Sequence, residues 1–225
     1  MLECDSTVRS LDPISDGVNR LEPLEARTSA FDTIDDMDEH SGGAPLLGEP
    51  IAIELANTAY ASRGRPREGL QKPEHLATWL RDVRIEVDEV TDGDLTATLR
   101  LRDAIRAIAS AIVKRSPLDA DAVSALNEFA GGVPQWRELR IEPELHSEPC
   151  TSGRSLDHAL SVIASSAVDL FGGTLRCKLR ACEGPGCVLF FIKDHPRREW
   201  CSHGCGNRAR AARHYARIRQ SNQSS

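Results

Sequence analysis

Apolar residues recur every three or four positions along the middle of the chain, which is the spacing of one face of an α-helix. The clearest case spans about 92–115, where the stripe consists of Leu101, Ile105, Ile108 and Ile112. Thr91, followed three residues later by Asp94, is a capping-box signal for the start of this helix. The pattern therefore predicts a long helix that buries its apolar stripe, with Arg100, Arg102 and Arg106 beside the stripe in solvent, in a pocket or at a dimer contact.

Other segments give shorter elements around this helix. Helices are expected after Pro73, from Ser116-Pro117 to Gly131-Gly132, and from about 155 to Gly172-Gly173. Residues 49–60 favour a short helix, with a strand as the alternative, and 61–72 predict a polar loop. Residues 136–146 predict a strand with a poorly marked partner, followed by a loop at 147–154. The fold class is mainly α, an α+β arrangement in which a helical N-terminal domain carries a small strand element.

Four cysteines in the C-terminal part form two short-spaced pairs, Cys182 with Cys187 and Cys201 with Cys205. Structural Zn²⁺ prefers four thiolates, and two close pairs let two turns supply two ligands each without strain. The pattern therefore predicts one structural zinc ion. Alternative ligands are Cys177, His195 and His203, and a redox or iron–sulfur role is a second interpretation of the cysteines.

The residues between the two pairs predict a hairpin. Residues 188–192 are apolar and β-prone, 194–196 are a turn signal, and 198–200 can return as a second strand. An Ala/Arg-rich run after Cys205 predicts a helix whose first turn holds the second cysteine pair. Knuckle, hairpin and helix together describe a treble-clef-like zinc module, joined to the preceding helix by a bridge at 174–180 short enough to keep it docked or closely tethered.

The predicted C-terminal helix has a basic face. Arg210, Arg213 and Arg217 share one direction with His214, while Ala209, Ala212, Tyr215 and Ala216 point elsewhere and are expected to pack on the hairpin. Arg208 lies off the basic stripe. Four thiolates around Zn²⁺ leave a formal charge of −2, which a nearby guanidinium offsets, so we expect Arg208 to serve the zinc site.

These residues also carry a family resemblance. Cys205-Gly206-Asn207-Arg208, with Trp200-Cys201-Ser202 before it, resembles the signature of the CGNR zinc finger family, and all four cysteines match its pattern. The segment upstream is similar to that family's companion module, the ABATE domain, at Ile53-Glu54-Leu55-Ala56-Asn57-Thr58, at Leu76–Leu80 with Trp79, at Leu101–Arg106 and at Leu126-Asn127. The resemblance covers about 48–220 and implies a bacterial DNA-binding transcription regulator whose ABATE domain is a sensor.

Charge and composition refine this division. Residues 1–47 carry eleven Asp or Glu against three Arg, whereas 176–220 carry eleven Lys or Arg against three Asp or Glu. We expect a disordered acidic extension at 1–47, an ABATE-like helical domain at 48–175, the zinc finger at 176–220 and a tail at 221–225. The sequence shows no apolar run of membrane-spanning length and no signal-peptide pattern, so a cytoplasmic protein is expected, on the nucleoid when bound to DNA.

The first functional hypothesis is a zinc-dependent regulator that binds double-stranded DNA as a homodimer, with a possible small-molecule effector of the helical domain. The candidate DNA contacts are Arg210, Arg213, Arg217, Arg208, Lys193, Arg197 and Arg198. The alternative is a zinc-stabilised module that binds protein or RNA without sequence-specific DNA binding. An enzyme is the third hypothesis, and no catalytic triad, phosphate loop or paired carboxylates support it.

Overall fold

The structure is a computed structural model that describes residues 44–62 and 64–223. Residues 1–43 of the predicted acidic extension lie outside this part of the chain. The helices are α1 (Ile51–Ala56), α2 (Pro73–Asp82), α3 (Asp92–Lys114), α4 (Ala120–Ala130), α5 (Ser155–Gly172) and α6 (His203–Gln223). The strands are β1 (Ala59–Ser62), β2 (Arg65–Glu68), β3 (Gln135–Arg140), β4 (His146–Thr151), β5 (Leu179–Ala181) and β6 (Phe190–Ile192), and a 3₁₀ turn covers Thr174–Lys178.

Helix α3 runs through the centre of the fold as the periodicity predicts. Its stripe residues Leu101, Ile105 and Ile108 are buried, and Ile112 packs partly buried against the same core. The capping box is present, because Thr91 Oγ1 accepts a hydrogen bond from the Asp94 amide while the Asp94 carboxylate accepts one from the Thr91 amide. Local signals in the sequence therefore specify both the start and the buried face of α3.

The arginines beside the α3 stripe differ in their surroundings. Arg100 is exposed and pairs with Glu128 of α4. The side chain of Arg102 is only 7% exposed, and its guanidinium pairs with Glu68 of β2 at 2.6 Å. A surface location is therefore wrong for Arg102, because its guanidinium is buried and Glu68 of β2 supplies the carboxylate that a buried cation requires.

Two segments predicted as loops contain strands. The predicted loop at 61–72 contains the end of β1 and all of β2, which form an antiparallel hairpin in which Ala59 faces Glu68 and Ser62 faces Arg65. Residues 146–151, assigned to a strand end and a loop, form β4 and supply the poorly marked partner of β3. Neither hairpin shows a strong alternation of apolar and polar residues in the sequence, because most side chains of β2, β3 and β4 are exposed.

The zinc-module hairpin pairs differently from the prediction. Strand β6 pairs antiparallel with β5, so that Leu179 faces Ile192 and Ala181 faces Phe190, whereas 198–200 form no strand. The bridge that precedes the first cysteine pair therefore contains the partner strand. Leu179, Phe190 and Ile192 belong to the same buried cluster as the stripe of α3, which explains why the non-local partner is preferred over the polar segment 198–200.

Among the described residues, no helix combines the length and the apolar character that crossing a bilayer requires.

Candidate metal centre and basic helix

The four paired cysteines meet at one point in the fold. The Sγ atoms of Cys182, Cys187, Cys201 and Cys205 all lie within 4.8 Å of one another. The Sγ atom of Cys201 is 3.7 Å from that of Cys187 and 3.4 Å from that of Cys205. Zn–S bonds of about 2.3 Å in a tetrahedron place neighbouring sulfurs about 3.8 Å apart. The donor set and its spacing therefore fit one structural Zn²⁺.

Each half of the cluster sits on a defined backbone feature. Cys182 directly follows β5, and its amide donates to the carbonyl of Leu189 at 2.8 Å, so the first pair lies in the turn between β5 and β6. Cys205 is in the first turn of α6, where its amide donates to Ser202 Oγ at 3.3 Å. At Gly184 a Cβ would lie 3.0 Å from Cys205 Cβ, so glycine there allows α6 to approach the turn that carries Cys182 and Cys187.

The close spacing of the four sulfurs favours the binding of a cation among them. The pKa of Cys182 is lowered because Cys187, Cys201 and Cys205 donate hydrogen bonds to its thiolate, whereas the pKa of Cys201 is raised because its thiol donates to Cys182. Four sulfurs this close do not all ionise unless a positive charge stabilises them. Zn²⁺ held by Cys182, Cys187, Cys201 and Cys205 would supply that charge in exchange for the remaining protons, so metal affinity would depend on pH.

The alternative ligands lie outside this cluster. Cys177 is in the 3₁₀ turn before β5, and His195 and His203 line a cavity beside the site. Among the described residues, the cluster of side chains close enough to share one metal ion consists of the four cysteines. Arg208, expected near the zinc, donates from Nη2 to Cys205 Sγ at 3.0 Å. This contact places a positive charge against the negatively charged thiolate set.

A second group of residues ties the helical domain to the zinc module. Asn57, just after α1, makes a two-way hydrogen bond with Phe190 of β6: its Nδ2 donates to the carbonyl and its Oδ1 accepts from the amide, both at 2.9 Å. Asn57 and Phe190 are both buried. The Asn57 side chain therefore takes the place of a neighbouring strand along the outer edge of β6.

The same strand is held at its end by a buried carboxylate. Glu49 accepts a hydrogen bond from the Ile192 amide at 2.9 Å and pairs with Arg198 at 2.5 Å. The Arg198 guanidinium lies 5.1 Å from the ring centroid of Phe191, a cation–π distance. Burial raises the pKa of Glu49, and the Ile192 amide and Arg198 act in the opposite direction.

Arg106 of α3 completes the junction. Its Nη1 atom donates to the carbonyls of Ala56 and Ala59, at 2.6 and 3.1 Å, and its Nη2 atom donates to the carbonyl of Val188 at 3.4 Å. The guanidinium also lies 5.5 Å from the centroid of the Phe190 ring. The sequence did not predict this junction role for Glu49 or Arg106. The one available signal was the placement of charged residues next to apolar stretches expected in the core.

The candidate DNA contacts fall into two groups. Arg210, Arg213 and Arg217 are exposed along α6, and Arg197 and Lys193 lie in and before the turn that leads to it. Arg198 and Arg208 are instead engaged with Glu49 and Cys205. The expected packing of α6 holds only for Ala209, which is buried, and is wrong for Ala212, Tyr215 and Ala216, which are exposed because the helix extends beyond the hairpin.

Comparison with known proteins yields two family matches. Residues 49–174 match the ABATE family, described as "Putative stress-induced transcription regulator", and residues 178–218 match the CGNR zinc finger. Neither description names an enzyme class. No curated protein matches the chain. The two matched segments follow one another in the order that the resemblance of the sequence predicts.

Proposed function

Since the chain belongs to the ABATE family and carries a CGNR zinc finger, we propose that it is a zinc-dependent transcription regulator whose helix α6 binds double-stranded DNA. The observation that carries the proposal is the exposure of this helix: every residue from Arg210 to Asn222 is exposed. That segment is about 20 Å long, and the major groove of B-DNA admits an α-helix. Such a regulator works in the cytoplasm, on the nucleoid when it is bound.

The charge of α6 supports the same function. Arg210, Arg213 and Arg217 lie within about 60° of one another around the helix axis, so they form one stripe. Guanidinium groups on such a stripe suit contacts to phosphates and to guanine edges. We assign base or phosphate contacts to these three arginines, and backbone phosphate contacts to Lys193 and Arg197. Arg198 and Arg208 stabilise the position of helix α6 through their contacts to Glu49 and Cys205.

A single small finger buries little surface, so the proposal includes a homodimer formed through the helical domain. The β3–β4 hairpin supports this, because Leu139, Ile141 and Leu145 on it are 71, 76 and 67% exposed. Exposed apolar surface of this kind is typical of contact sites. A small-molecule effector of the helical domain would act on DNA binding through the contacts of Glu49, Asn57 and Arg106 with the zinc module.

A module that binds protein or RNA is the second candidate, and one observation favours it. Tyr215 and Ile218 are 65 and 42% exposed, and both lie on the side of α6 opposite Arg213. Exposed aromatic and aliphatic side chains on one helix face suit a protein contact.

Selection of genomic DNA fragments by the zinc-replete protein at near-physiological salt separates the two candidates. An enriched motif is expected, and an inverted repeat would support the homodimer. Absence of enrichment from a folded, zinc-loaded protein would favour the protein- or RNA-binding alternative.

The role of the basic stripe has its own test. Arg213→Ala is expected to weaken DNA binding and to reduce the slope of log K against log[salt] by about 0.9 for each phosphate that the protein no longer neutralises. Arg219→Ala is the matched control, because it removes the same charge from a position about 120° away around the helix. Fluorescence anisotropy over a range of salt concentrations measures both. An equal effect of the two substitutions would contradict a directed stripe.

A further inference from the structure

The turn before α6 and the first two turns of that helix border a cavity of about 670 Å³ that is open to solvent on one side. It is lined by His195, Arg197, Arg198, Glu199, Trp200, Cys201, Ser202, His203, Gly206 and Arg210. A volume of this size lies within the range of small-molecule sites and far exceeds a single water molecule. The zinc ligand Cys201 forms part of one wall, so the cavity adjoins the metal centre without being the metal site.

The lining is rich in donors and poor in acceptors. Arg197, Arg198 and Arg210 contribute three guanidinium groups, whereas Glu199 is the only acidic side chain among the lining residues. Arg198 is already neutralised by Glu49. Within the described part of the chain, no hydrogen bond or ion pair engages the side chain of Arg197. The cavity therefore presents an uncompensated positive charge, which favours an anionic ligand.

Gly206 explains how the donors are brought together. It lies inside helix α6, where glycine is less favourable than alanine by about 1 kcal/mol. A Cβ at this position would meet Trp200 Cδ1 at 3.1 Å and Arg210 Nη1 at 3.5 Å. The Trp200 indole and the Arg210 guanidinium thus close over the bare backbone of Gly206. The helix accepts a residue of poor propensity here, and the arrangement of these two side chains depends on it.

We propose that this cavity is a phosphate-binding site in which Arg197 and Arg210 hold the phosphate oxygens and the indole N–H of Trp200 donates a further hydrogen bond. Planar guanidinium groups pair with phosphate through two parallel hydrogen bonds, which gives both affinity and orientation. The phosphate has two sources with the same chemistry: the backbone of bound DNA, or a free nucleotide that competes with DNA for Arg210. The first source rests on the proposed function, whereas phosphate binding itself does not.

Amide and indole NMR spectra of the full-length, zinc-loaded protein, titrated with inorganic phosphate at constant ionic strength, test the site. Saturable shifts are expected at Ser202, Gly206 and the Trp200 indole, with at least tenfold weaker affinity in Arg197→Ala. Arg219→Ala removes an equal charge from an exposed part of α6 outside the cavity, and its phosphate affinity should stay within twofold of wild type. Absence of saturable shifts in the wild type, or equal weakening by both substitutions, would overturn the proposal.

Two further titrations identify the source. A backbone phosphate predicts that Arg197→Ala lowers the salt slope of DNA binding by about 0.9 and that adenosine monophosphate binds no better than inorganic phosphate. A free nucleotide predicts that adenosine monophosphate binds at least tenfold tighter than inorganic phosphate and displaces DNA. If phosphate binds at the cavity but DNA does not bind at all, the phosphate site stands and the proposed function fails. If DNA binds but phosphate does not bind at the cavity, the proposed function stands and the phosphate site is ruled out.

Discussion

Glu49 and Glu54 are two carboxylates inside the junction between the helical domain and the zinc module. Glu49 has a cationic partner in Arg198, whereas Glu54 accepts hydrogen bonds from backbone amides, those of Leu47 and Glu49 among them. Burial, together with the nearby charge of Glu49, outweighs the opposing effect of the backbone donors and raises the pKa of Glu54 to about 7. A proton is therefore gained or lost near neutral pH at the point where the N-terminal segment packs on the core.

The consequence for stability has a definite sign. The folded state holds the Glu54 proton up to a pH of about 7 and the unfolded state only to about 4.5, so the free energy of unfolding falls as pH rises between these values. The slope is roughly 1.4 kcal/mol per pH unit. Urea unfolding of wild type and Glu54→Gln from pH 5.5 to 8.5 measures it, with the variant expected to lack this component.

Zinc affinity also depends on pH, but wild type and Glu54→Gln carry the same cysteines. The zinc contribution therefore cancels in the difference between their free energies of unfolding. A difference in unfolding free energy that stays constant across the range would show that Glu54 does not change its protonation state there.

At the scale of secondary-structure elements, helix α1 and strand β6 form one unit. Asn57 supplies both a donor and an acceptor to Phe190, and Arg106 bridges the end of α1 to Val188 just before β6. A three-residue strand such as β6 has few hydrogen bonds of its own with β5. Its position is therefore set largely by side chains of the helical domain, which makes the ABATE-like segment at 53–58 a docking element for the zinc module.

Asn57→Ala should cost about 2–4 kcal/mol, because it leaves the buried amide and carbonyl of Phe190 unpaired. Asn127→Ala is the matched control: Asn127 is exposed on α4, and we expect a change within about 0.5 kcal/mol. Denaturant unfolding measures the two free energies, and hydrogen exchange at the Phe190 amide reports the local opening. Unchanged protection of that amide in Asn57→Ala would contradict the docking role.

At the scale of the whole molecule, one buried cluster extends from α1, α3 and α5 to Leu179, Phe190 and Ile192 of the β5–β6 hairpin. A smaller cluster of Leu189, Phe191 and the cysteines lies on the other side of that hairpin. The hairpin is thus shared between the helical core and the metal centre. Helix α6 is different, because Cys205, Gly206 and Ala209 are its buried residues and they all lie near the zinc site.

Removal of zinc should therefore destabilise helix α6 more than the rest of the molecule. Cys201→Ser, or chelation of the wild type, is expected to abolish stoichiometric zinc binding and to expose α6 to trypsin, while the β5–β6 hairpin stays docked and α1–α5 still unfold cooperatively. Zinc analysis, limited proteolysis and far-UV circular dichroism measure these effects. Cys150→Ser, which changes a cysteine of β4 outside the cluster, is the control. A fully zinc-loaded, protease-resistant Cys201→Ser protein would contradict the four-cysteine site.

The sequence by itself determined the features that depend on near neighbours. The start and buried face of α3 follow from Thr91, Asp94 and a stripe with helical period, because capping and amphipathicity act over one or two turns. The two cysteine pairs and the basic stripe of α6 are likewise local patterns, and the structure brings the four sulfurs together. Motif resemblance added the family, which the matches confirm.

Only the tertiary structure decided the partners that lie far apart in the chain. Strand β6 pairs with β5 rather than with 198–200, since Leu179 shares a core with β6 and the polar segment does not. The sequence assigned Arg102 and Arg106 to solvent, a pocket or a dimer contact and Arg198 to DNA, yet the fold supplies each with a carboxylate or with carbonyls 34 to 149 residues away. Whether a cation is solvated, holds the structure or meets a ligand depends on what is folded against it, and no local pattern contains that information.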